Sequence, residues 1–283
     1  MNISITTIRT IKKQHPCFSH EAHFKYGRIH LPVALKCNIQ CRYCVRSINS
    51  VEDRPGVTEK ILSPLEAIEI LRDAVKQDFP LRVVAVAGPG EPLANQETFE
   101  VLKMAKEEFP YLIRCLATNG LALPEKVKVL EEIGISTLTV TVNAIDPEIG
   151  SKIYEYVRVY GSRYTGKEAA KILIDRQKLG VKEAVSRGMI VKINTVLIPD
   201  INAGHLTEVA KVYKQLGANI MNIMPLIPVG KFSHMRPPTR EELGAAQAAC
   251  AVYIEQFRLC QQCRADACGI PAIDHGRRCK PKY

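Results

Sequence analysis

Residues Lys36–Cys44 read KCNIQCRYC and place three cysteines, Cys37, Cys41 and Cys44, in one short segment. Thiolates at spacings of four and three residues are typical of a loop that holds an iron–sulfur cluster, because each thiolate takes a different iron. Three cysteines leave the fourth iron of a [4Fe–4S] cubane open to a ligand from outside the chain. A structural zinc site would need a fourth protein ligand. The segment therefore predicts a cubane with one exchangeable position.

The composition is that of a globular protein, because 46% of the 283 residues are hydrophobic and 24% are charged. No apolar run approaches the roughly 18 residues that span a bilayer. The first residues, MNISITTIRTIKKQHPC, lack the apolar core of a secretory signal. We therefore expect a cytoplasmic protein with no membrane partner. Ten cysteines in a reducing compartment favour metal binding or catalysis over a disulfide framework.

The formal net charge of +10 has three interpretations. A basic surface could bind nucleic acid, a basic cavity could bind small anionic ligands, or the charge could simply lie on a solvated surface. The chain has no tryptophan and only 6% aromatic residues, which counts against a surface that stacks on bases. We therefore expect no nucleic-acid partner.

Six short apolar runs rich in β-branched residues predict buried strands. Helical patterns lie between them, so the strands should pair in parallel, in a sheet that is either doubly wound or curled into an incomplete barrel. In both forms the reactive groups belong at the carboxyl ends of the strands. The runs are HLPVAL from His30, LRVVAVA from Leu81, LIRCLAT from Leu112, STLTVTV from Ser136, MIVKINTVL from Met189 and ANIMNIM from Ala218.

The ends of the predicted helices follow ordinary capping chemistry. Ser63 and Glu66 form a capping box with Pro64 at the first helical position, and Thr239 and Glu242 form a second one. The other predicted ends are Pro124 and Gly134 for one helix, and Thr165 and Asn202 as N-caps of two more.

The motif CxxxCxxC after the first strand of a βα barrel resembles the radical S-adenosylmethionine (SAM) superfamily over roughly residues 31–225. The resemblance implies a partial (β/α)6 TIM-like barrel in which the open iron chelates the amino and carboxylate groups of SAM. An electron from the cluster would cleave SAM to methionine and a 5′-deoxyadenosyl radical, which makes Cys37, Cys41 and Cys44 the catalytic cysteines. The residues that the resemblance assigns to SAM are Tyr43, Gly88, Gly90, Glu91, Thr118, Asn119, Thr141, Asn143 and Ile193.

Further sequence motifs indicate which family of the superfamily the chain resembles. HPCFS…EAH, DRPGV, AGPGEPLAN, ATNG and CxxCRADA, in this order, resemble the NifB family of maturases, which build the nitrogenase cofactor core. The resemblance implies an enzyme that fuses two [4Fe–4S] substrate clusters around a SAM-derived carbide into an eight-iron precursor, NifB-co. One SAM would give a methyl group to a cluster sulfide, and a second SAM would supply the radical that abstracts a hydrogen from it.

The same resemblance implies ligands for the two substrate clusters. Incomplete ligation by cysteine suits a cluster that must leave, since an iron without a thiolate has an exchangeable ligand. The implied ligands are Cys17, Cys115 and His30, with His23 as the alternative histidine, for one cluster, and Cys260 and Cys263 for the other.

We expect three parts: an N-terminal extension with cluster ligands (1–29), the barrel (30–225) and a C-terminal extension with the CxxC site (226–283), the extensions covering the open mouth. A NifX-like carrier domain, fused to some family members, is expected to be absent. The implied partners are an Fe–S cluster donor scaffold, an electron donor, and carrier or scaffold proteins that accept NifB-co. No role is predicted for Cys268, His275 or Cys279.

Two other functions fit part of the sequence. A radical SAM methyltransferase acting on another substrate, such as RNA, would explain the triad and the basic charge, but it would not need ligands for two further clusters. A non-catalytic Fe–S cluster carrier would explain the cysteine content, but it has no use for a glycine-rich segment that binds SAM.

Overall fold

The computed structural model of the chain describes residues 5–77 and 79–274. None of the helices within these ranges is both long enough and apolar enough to cross a membrane. The strands of these ranges are β1 (Gly27–His30), β2 (Ile39–Cys41), β3 (Ser47–Ile48), β4 (Val57–Thr58), β5 (Leu81–Val86), β6 (Ile113–Thr118), β7 (Thr137–Thr141), β8 (Tyr154–Val159), β9 (Ser162–Tyr164), β10 (Ile190–Leu197), β11 (Ile220–Pro225) and β12 (Cys268–Gly269). The α-helices are α1 (Ile5–Gln14), α2 (His20–Lys25), α3 (Pro64–Lys76), α4 (Gln96–Glu108), α5 (Leu123–Ile133), α6 (Pro147–Ile153), α7 (Gly166–Ser186), α8 (Pro199–Asn202), α9 (Leu206–Gln215), α10 (Arg240–Ala251) and α11 (Pro271–Asp274).

Seven strands form one open, curled sheet in the order β11-β10-β7-β6-β5-β1-β12. Neighbouring strands are parallel except for β1 and β12, which are antiparallel. The six parallel strands lie side by side in chain order, whereas a doubly wound sheet reverses its order at a switch point. The predicted partial (β/α)6 barrel is therefore confirmed, and the doubly wound alternative is wrong.

The first strand begins three residues earlier than the sequence pattern predicts. It pairs with β5 through Arg28 and Val83 and through His30 and Ala85, and it ends before Pro32. Proline has no N–H to donate to a sheet ladder, so the run HLPVAL cannot continue as a strand. This shift makes His30 the last residue of the strand, whereas the sequence pattern makes it the first.

A small antiparallel sheet of β2, β8 and β9 was not predicted. It pairs Gln40 with Tyr156 and Cys41 with Tyr154, so the segment that carries the cysteine triad is itself an edge strand. A pattern of period two is hard to recognise over three residues, which is why sequence reasoning missed β2. The pairing fastens the triad segment to β8.

The two faces of the large sheet have different chemistry. Residues on the outer face, such as Val84, Leu116 and Leu138, pack with the helices in the main hydrophobic core. Burying aliphatic side chains there contributes about 25 cal/mol per Å² of apolar area. The inner face is small or polar at many of its positions, which include Ala85, Ala87, Cys115, Ala117, Thr139, Lys192, Asn194 and Asn222.

The extensions enter the barrel at two levels. Phe18 of the N-terminal extension and Phe257 of the C-terminal one pack against Ile113 and Ile190, at the amino ends of the strands. Further along, Gln262 lines the carboxyl-end cavity. The C-terminal extension therefore reaches the mouth as predicted, whereas the described part of the N-terminal extension closes the amino end.

Most predicted helix ends agree with the structure. Ser63 and Thr239 both form complete capping boxes, and Gly134 closes α5 in the left-handed conformation with φ 80°. Thr165 is the N-cap residue of α7, although its side chain makes no capping hydrogen bond. Asn202 is the N-cap residue of the short 3-10 turn Ala203–His205 that leads into α9, but it too makes no capping hydrogen bond. Its buried side chain serves the strand ends instead.

The Asn202 amide satisfies three backbone groups. It accepts from Ile198 N at 2.8 Å and donates to the carbonyl oxygens of Asn143 (3.0 Å) and Val196 (2.9 Å). These bonds join the ends of β7 and β10, next to the cavity described below.

Replacing Asn202 with alanine should lower the free energy of unfolding by about 2 to 4 kcal/mol, because it leaves three buried backbone groups without partners. Urea denaturation of the cluster-free protein measures this change. The matched control is Gln215→Ala, which removes an exposed amide and should change the free energy by less than about 0.5 kcal/mol. Equal effects of the two substitutions would contradict the assignment.

Candidate active site

A cavity of about 220 Å³ opens at the carboxyl ends of the strands. The triad segment forms one wall, and the ends of β5, β6, β7, β10 and β11 form the other. This is the edge at which a barrel assembles its reactive groups. The predicted site residues that line it are Cys37, Cys41, Cys44, Tyr43, Gly90, Glu91, Thr118, Asn119 and Thr141.

The side chain of Gln40 fixes the backbone of the triad loop by hydrogen bonds. Its side-chain amide donates to the carbonyl oxygens of Cys41 and Cys44, both at 2.9 Å. The backbone N–H of Cys44 also donates to Cys41 O at 3.1 Å, which closes a turn between the second and third cysteines. The three cysteines therefore line one cavity from a loop whose backbone is fixed by hydrogen bonds.

Burial raises the pKa of each triad thiol, and for Cys37 it does so to about 11, with a further contribution from Glu91. Such thiols become thiolates when a metal supplies the compensating charge. No three His, Cys, Asp or Glu side chains of residues 5–77 and 79–274 converge closely enough to hold a single metal ion. A cubane needs no such convergence, since each thiolate meets its own iron. The residues fit a [4Fe–4S] cluster.

Tyr43 lies in the cavity wall with its hydroxyl held from behind. Asn143 Nδ2 donates to Tyr43 OH at 2.8 Å, while Asn143 Oδ1 accepts from Val196 N at 2.9 Å. Asn143 is fully buried and does not line the cavity, so its expected contact with ribose does not fit the geometry. The geometry instead gives Asn143 the role of orienting Tyr43.

The glycine-rich segment packs tightly against the chain that leads into the triad. Gly90 N donates to Ala34 O at 2.7 Å, and Glu91 N donates to Lys36 O at 2.8 Å. A Cβ atom on residue 90 would overlap the backbone carbonyl oxygens of Leu35 and Lys36. Glycine is thus required at position 90 by the protein's own packing. Gly88, with φ +135°, lies behind the cavity lining.

The Glu91 carboxyl group is buried and accepts three hydrogen bonds. They come from Thr118 Oγ1 at 2.5 Å, Asn119 N at 2.7 Å and Leu93 N at 3.0 Å. Burial raises the pKa of Glu91 to about 7, although these bonds act in the opposite direction. None of the ion pairs among the residues that the structure describes includes Glu91, so its buried carboxyl group is well placed to bind a ligand's ammonium group.

Ile193 is a predicted site residue that does not line the cavity. It is fully buried in the main core on the outer face of β10, because side chains alternate along a strand. Val196, on the inner face, lines the cavity in its place. The proposed contact of Ile193 with SAM therefore does not fit the structure.

A second group of thiols lies deeper in the barrel. Cys17 and Cys260 pack in the same cluster as Cys115 of β6, and Arg28 donates to Cys263 Sγ at 3.3 Å. Burial raises the pKa of Cys17 to about 12, and the charges of Cys263 and Cys260 add to the rise. The four cysteines predicted to hold substrate clusters are thus brought together from distant parts of the chain. We name them the interior thiols.

Both candidate histidines meet the chemical requirement of a ligand. His30 Nδ1 lies 3.1 Å from Arg264 O, and His23 Nδ1 lies 3.0 Å from Pro16 O, so Nδ1–H donates to a carbonyl and leaves Nε2 as the basic nitrogen. Burial lowers the pKa of both, to about 4 for His30. The choice between them stays open.

Sequence reasoning missed three polar side chains around the interior thiols: His15, Arg28 and Lys192. All three are buried. A signal was present in the alternation of the strands, because Arg28 shares a face of β1 with His30, and Lys192 occupies an inward position of β10. Both positions would be aliphatic in a packed barrel.

Cys250 was predicted to be a structural cysteine, and it is buried in the main core on α10. Cys268 is also buried, in β12. His275 and Cys279 lie outside the described residues.

The C-terminal motif CRADA acts as a clamp. Arg264 pairs with Asp266 at 2.8 Å and donates to the carbonyl oxygens of Asn49 and Glu52, while Glu59 N donates to Asp266 at 2.6 Å. These bonds fasten Cys263 to the loop after the triad, which also lines the cavity. The two groups of cysteines are therefore fixed relative to each other.

The family model for the radical SAM superfamily matches residues 31–213. The structure is similar to that of Streptococcus suis SuiB, with a TM-score of 0.58 at 14% identity over 84% of this chain and 51% of that one, which is a likeness of fold. The chain therefore belongs to the radical SAM superfamily and is an enzyme of that type.

Two curated relatives show to which family within the superfamily the chain belongs. The FeMo cofactor biosynthesis protein NifB of Methanocaldococcus jannaschii is 50% identical over 262 residues, which cover 92% of this chain and 87% of that protein. The protein of the same name from Methanocaldococcus infernus is 48% identical over 260 residues, covering 91% and 86%. Within the superfamily, the chain belongs to the NifB family.

Glu91→Gln should remove one source of pH-dependent stability. The pKa of Glu91 is about 7 in the folded chain, above its usual 4.5, so the folded state binds the extra proton between these values. The Glu91 contribution to the free energy of unfolding should therefore fall as the pH rises through that window. The buried histidines, whose pKa is lowered, act in the opposite direction.

Urea denaturation of the cluster-free protein at several pH values measures the difference between wild type and variant, which isolates Glu91 from the histidines. Glu100→Gln, at an exposed position of α4, is the matched control and should follow wild type. A wild-type profile parallel to that of Glu91→Gln would contradict a raised pKa.

Proposed function

We propose that the protein is a nitrogenase cofactor maturase that fuses two [4Fe–4S] substrate clusters around a SAM-derived carbide to form NifB-co. The observation that carries this proposal is the set of interior thiols below the SAM cavity. A radical SAM methyltransferase acting on RNA has no use for them, and a non-catalytic cluster carrier has no use for the cavity above them. The names of the two relatives, both FeMo cofactor biosynthesis proteins, support the same function.

Cys37, Cys41 and Cys44 would hold the resident [4Fe–4S] cluster, which when bound supplies the electron for reductive cleavage of SAM. Glu91 is suited to the methionine ammonium group because its carboxyl group is buried and forms no ion pair within the described part of the chain. Tyr43, oriented by Asn143, offers an aromatic face to the adenine ring.

The substrate clusters would be held by the interior thiols. Cys17 and Cys115, with His30 or His23, suit one cluster, and Cys260 and Cys263 suit the other. Gln262 lies between the last two, has φ 48° and lines the SAM cavity, so the CxxC turn extends from the interior to the SAM site. This connection supports transfer of a SAM-derived carbon to a cluster held there.

The remaining expectations follow from this function. We propose a cytoplasmic enzyme that receives clusters from a donor scaffold, receives electrons from a reductant protein, and releases NifB-co to a carrier or scaffold protein. We propose three parts. Residues 1–29 carry Cys17 and His23, residues 30–225 carry the SAM chemistry and begin with His30, and residues 226–283 carry the CxxC site.

Labelled SAM tests the proposal directly. With SAM that carries ¹³C in its methyl group, the reduced, reconstituted protein should retain label in its protein-bound metal–sulfide fraction and form both S-adenosylhomocysteine and 5′-deoxyadenosine. SAM labelled in the carboxylate carbon is the control and should leave no label there.

The double variant Cys260→Ser with Cys263→Ser should lose this incorporation, because one substrate cluster lacks its ligands. Cys250→Ser is the matched control, since it alters a cysteine of the main core, and it should retain the label. Methyl label found on RNA instead of the metal–sulfide fraction would overturn the proposed function.

A further inference from the structure

Two buried cations, Arg28 and Lys192, accompany the interior thiols. Arg28 is fully buried and Lys192 is 5% exposed. None of the ion pairs among residues 5–77 and 79–274 includes either side chain. A charge buried without a counter-charge costs several kcal/mol. The fold therefore tolerates an unfavourable arrangement that an anion would relieve.

Lys192 has donor capacity left over. Its ammonium group donates to Cys17 O at 3.2 Å and lies over the rings of Phe18 and Phe257, at 4.9 and 5.5 Å from their centroids. An ammonium group has three N–H donors, and one carbonyl and two ring faces do not replace the water it has lost.

The region around the interior thiols, which we name the chamber, offers Arg28 a sulfur acceptor. Arg28 donates to Gly269 O at 2.7 Å and to Cys263 Sγ at 3.3 Å, while its Nε has no hydrogen-bond partner in residues 5–77 and 79–274. A guanidinium group that already donates to a ligand sulfur can also donate to the sulfides of a cluster held beside it.

His15 is a third donor of the same kind. Its Nδ1 accepts from Cys17 N at 3.1 Å, which puts the ring proton on Nε2, and Nε2 is buried with no hydrogen-bond partner among the described residues. Lys192 and His30 are close enough to His15 for their charges to act on it. The chamber thus collects unpartnered N–H donors from three separate elements of the chain.

We propose that Lys192, Arg28 and His15 form an anion-recognition shell that binds the metal–sulfide substrate by its negative charge and its sulfide acceptors. The inference rests on the proposed function, since that function supplies the substrate. Thiolates and sulfides give such a cluster net negative charge, and hydrogen bonds to charged groups are stronger than those between neutral groups. The shell therefore retains a substrate whose cysteine ligation is incomplete.

Lys192→Met separates this role from a structural one. Methionine has a similar length and no charge, so the cluster-free variant should be as stable as wild type or more stable, because an unpaired buried cation has been removed. The loaded variant should lose its interior irons to a ferrous chelator about tenfold faster or more. Lys192→Arg should restore most of the retention, and Lys103→Met, an exposed lysine of α4, is the matched control.

Two results for the variant would overturn the proposal: chelator release within twofold of wild type, or a cluster-free form less stable than wild type, since the lysine would then serve the fold. A wild-type protein that binds only about four irons would instead overturn the proposed function. The two failures are thus distinguished by the wild-type iron count.

Discussion

A barrel interior built from thiols, cations and small residues is the constraint on which the rest of the structure depends. Inward positions that would be aliphatic in a packed barrel are Ala85, Cys115 and Lys192 here, so the sheet contributes apolar burial mainly through its outer face. The extensions supply the missing apolar contacts at the amino end, through Phe18 and Phe257. Cys17, Cys115 and Cys260 pack in the same cluster as these rings.

One buried residue, Glu91, connects the segments that form the mouth of the barrel. Glu91 joins the ends of β5 and β6 through Thr118 and Asn119, and its backbone N–H holds Lys36, the residue before the triad. The same residue thus positions the cysteine loop and offers its carboxyl group to a ligand. Because the CRADA clamp fastens the C-terminal extension to the other side of the triad loop, the two groups of cysteines keep a fixed relation.

The six parallel strands, most helix ends and the grouping of the cysteines could be predicted from sequence, because they follow from periodicity, capping and motif spacing. Roles that depend on which face a side chain takes could not: Ile193 lies on the outer face of β10, and Asn143 serves Tyr43. Because Pro32 cannot continue the strand, β1 lies closer to the N-terminus than the sequence pattern predicts. Arg28 is therefore a strand residue on the same face as His30. Asn202 showed a capping residue type but is bonded to strand ends, which only the tertiary structure reveals.

The central claim is that the interior holds two clusters besides the one at the triad. An anaerobic iron and sulfide count after reconstitution tests it most directly, followed by SAM and a reductant. The account predicts about twelve irons per chain, four for each cubane, with S-adenosylhomocysteine and 5′-deoxyadenosine as products. About four irons with 5′-deoxyadenosine alone would contradict it, leaving a radical SAM enzyme whose substrate lies elsewhere.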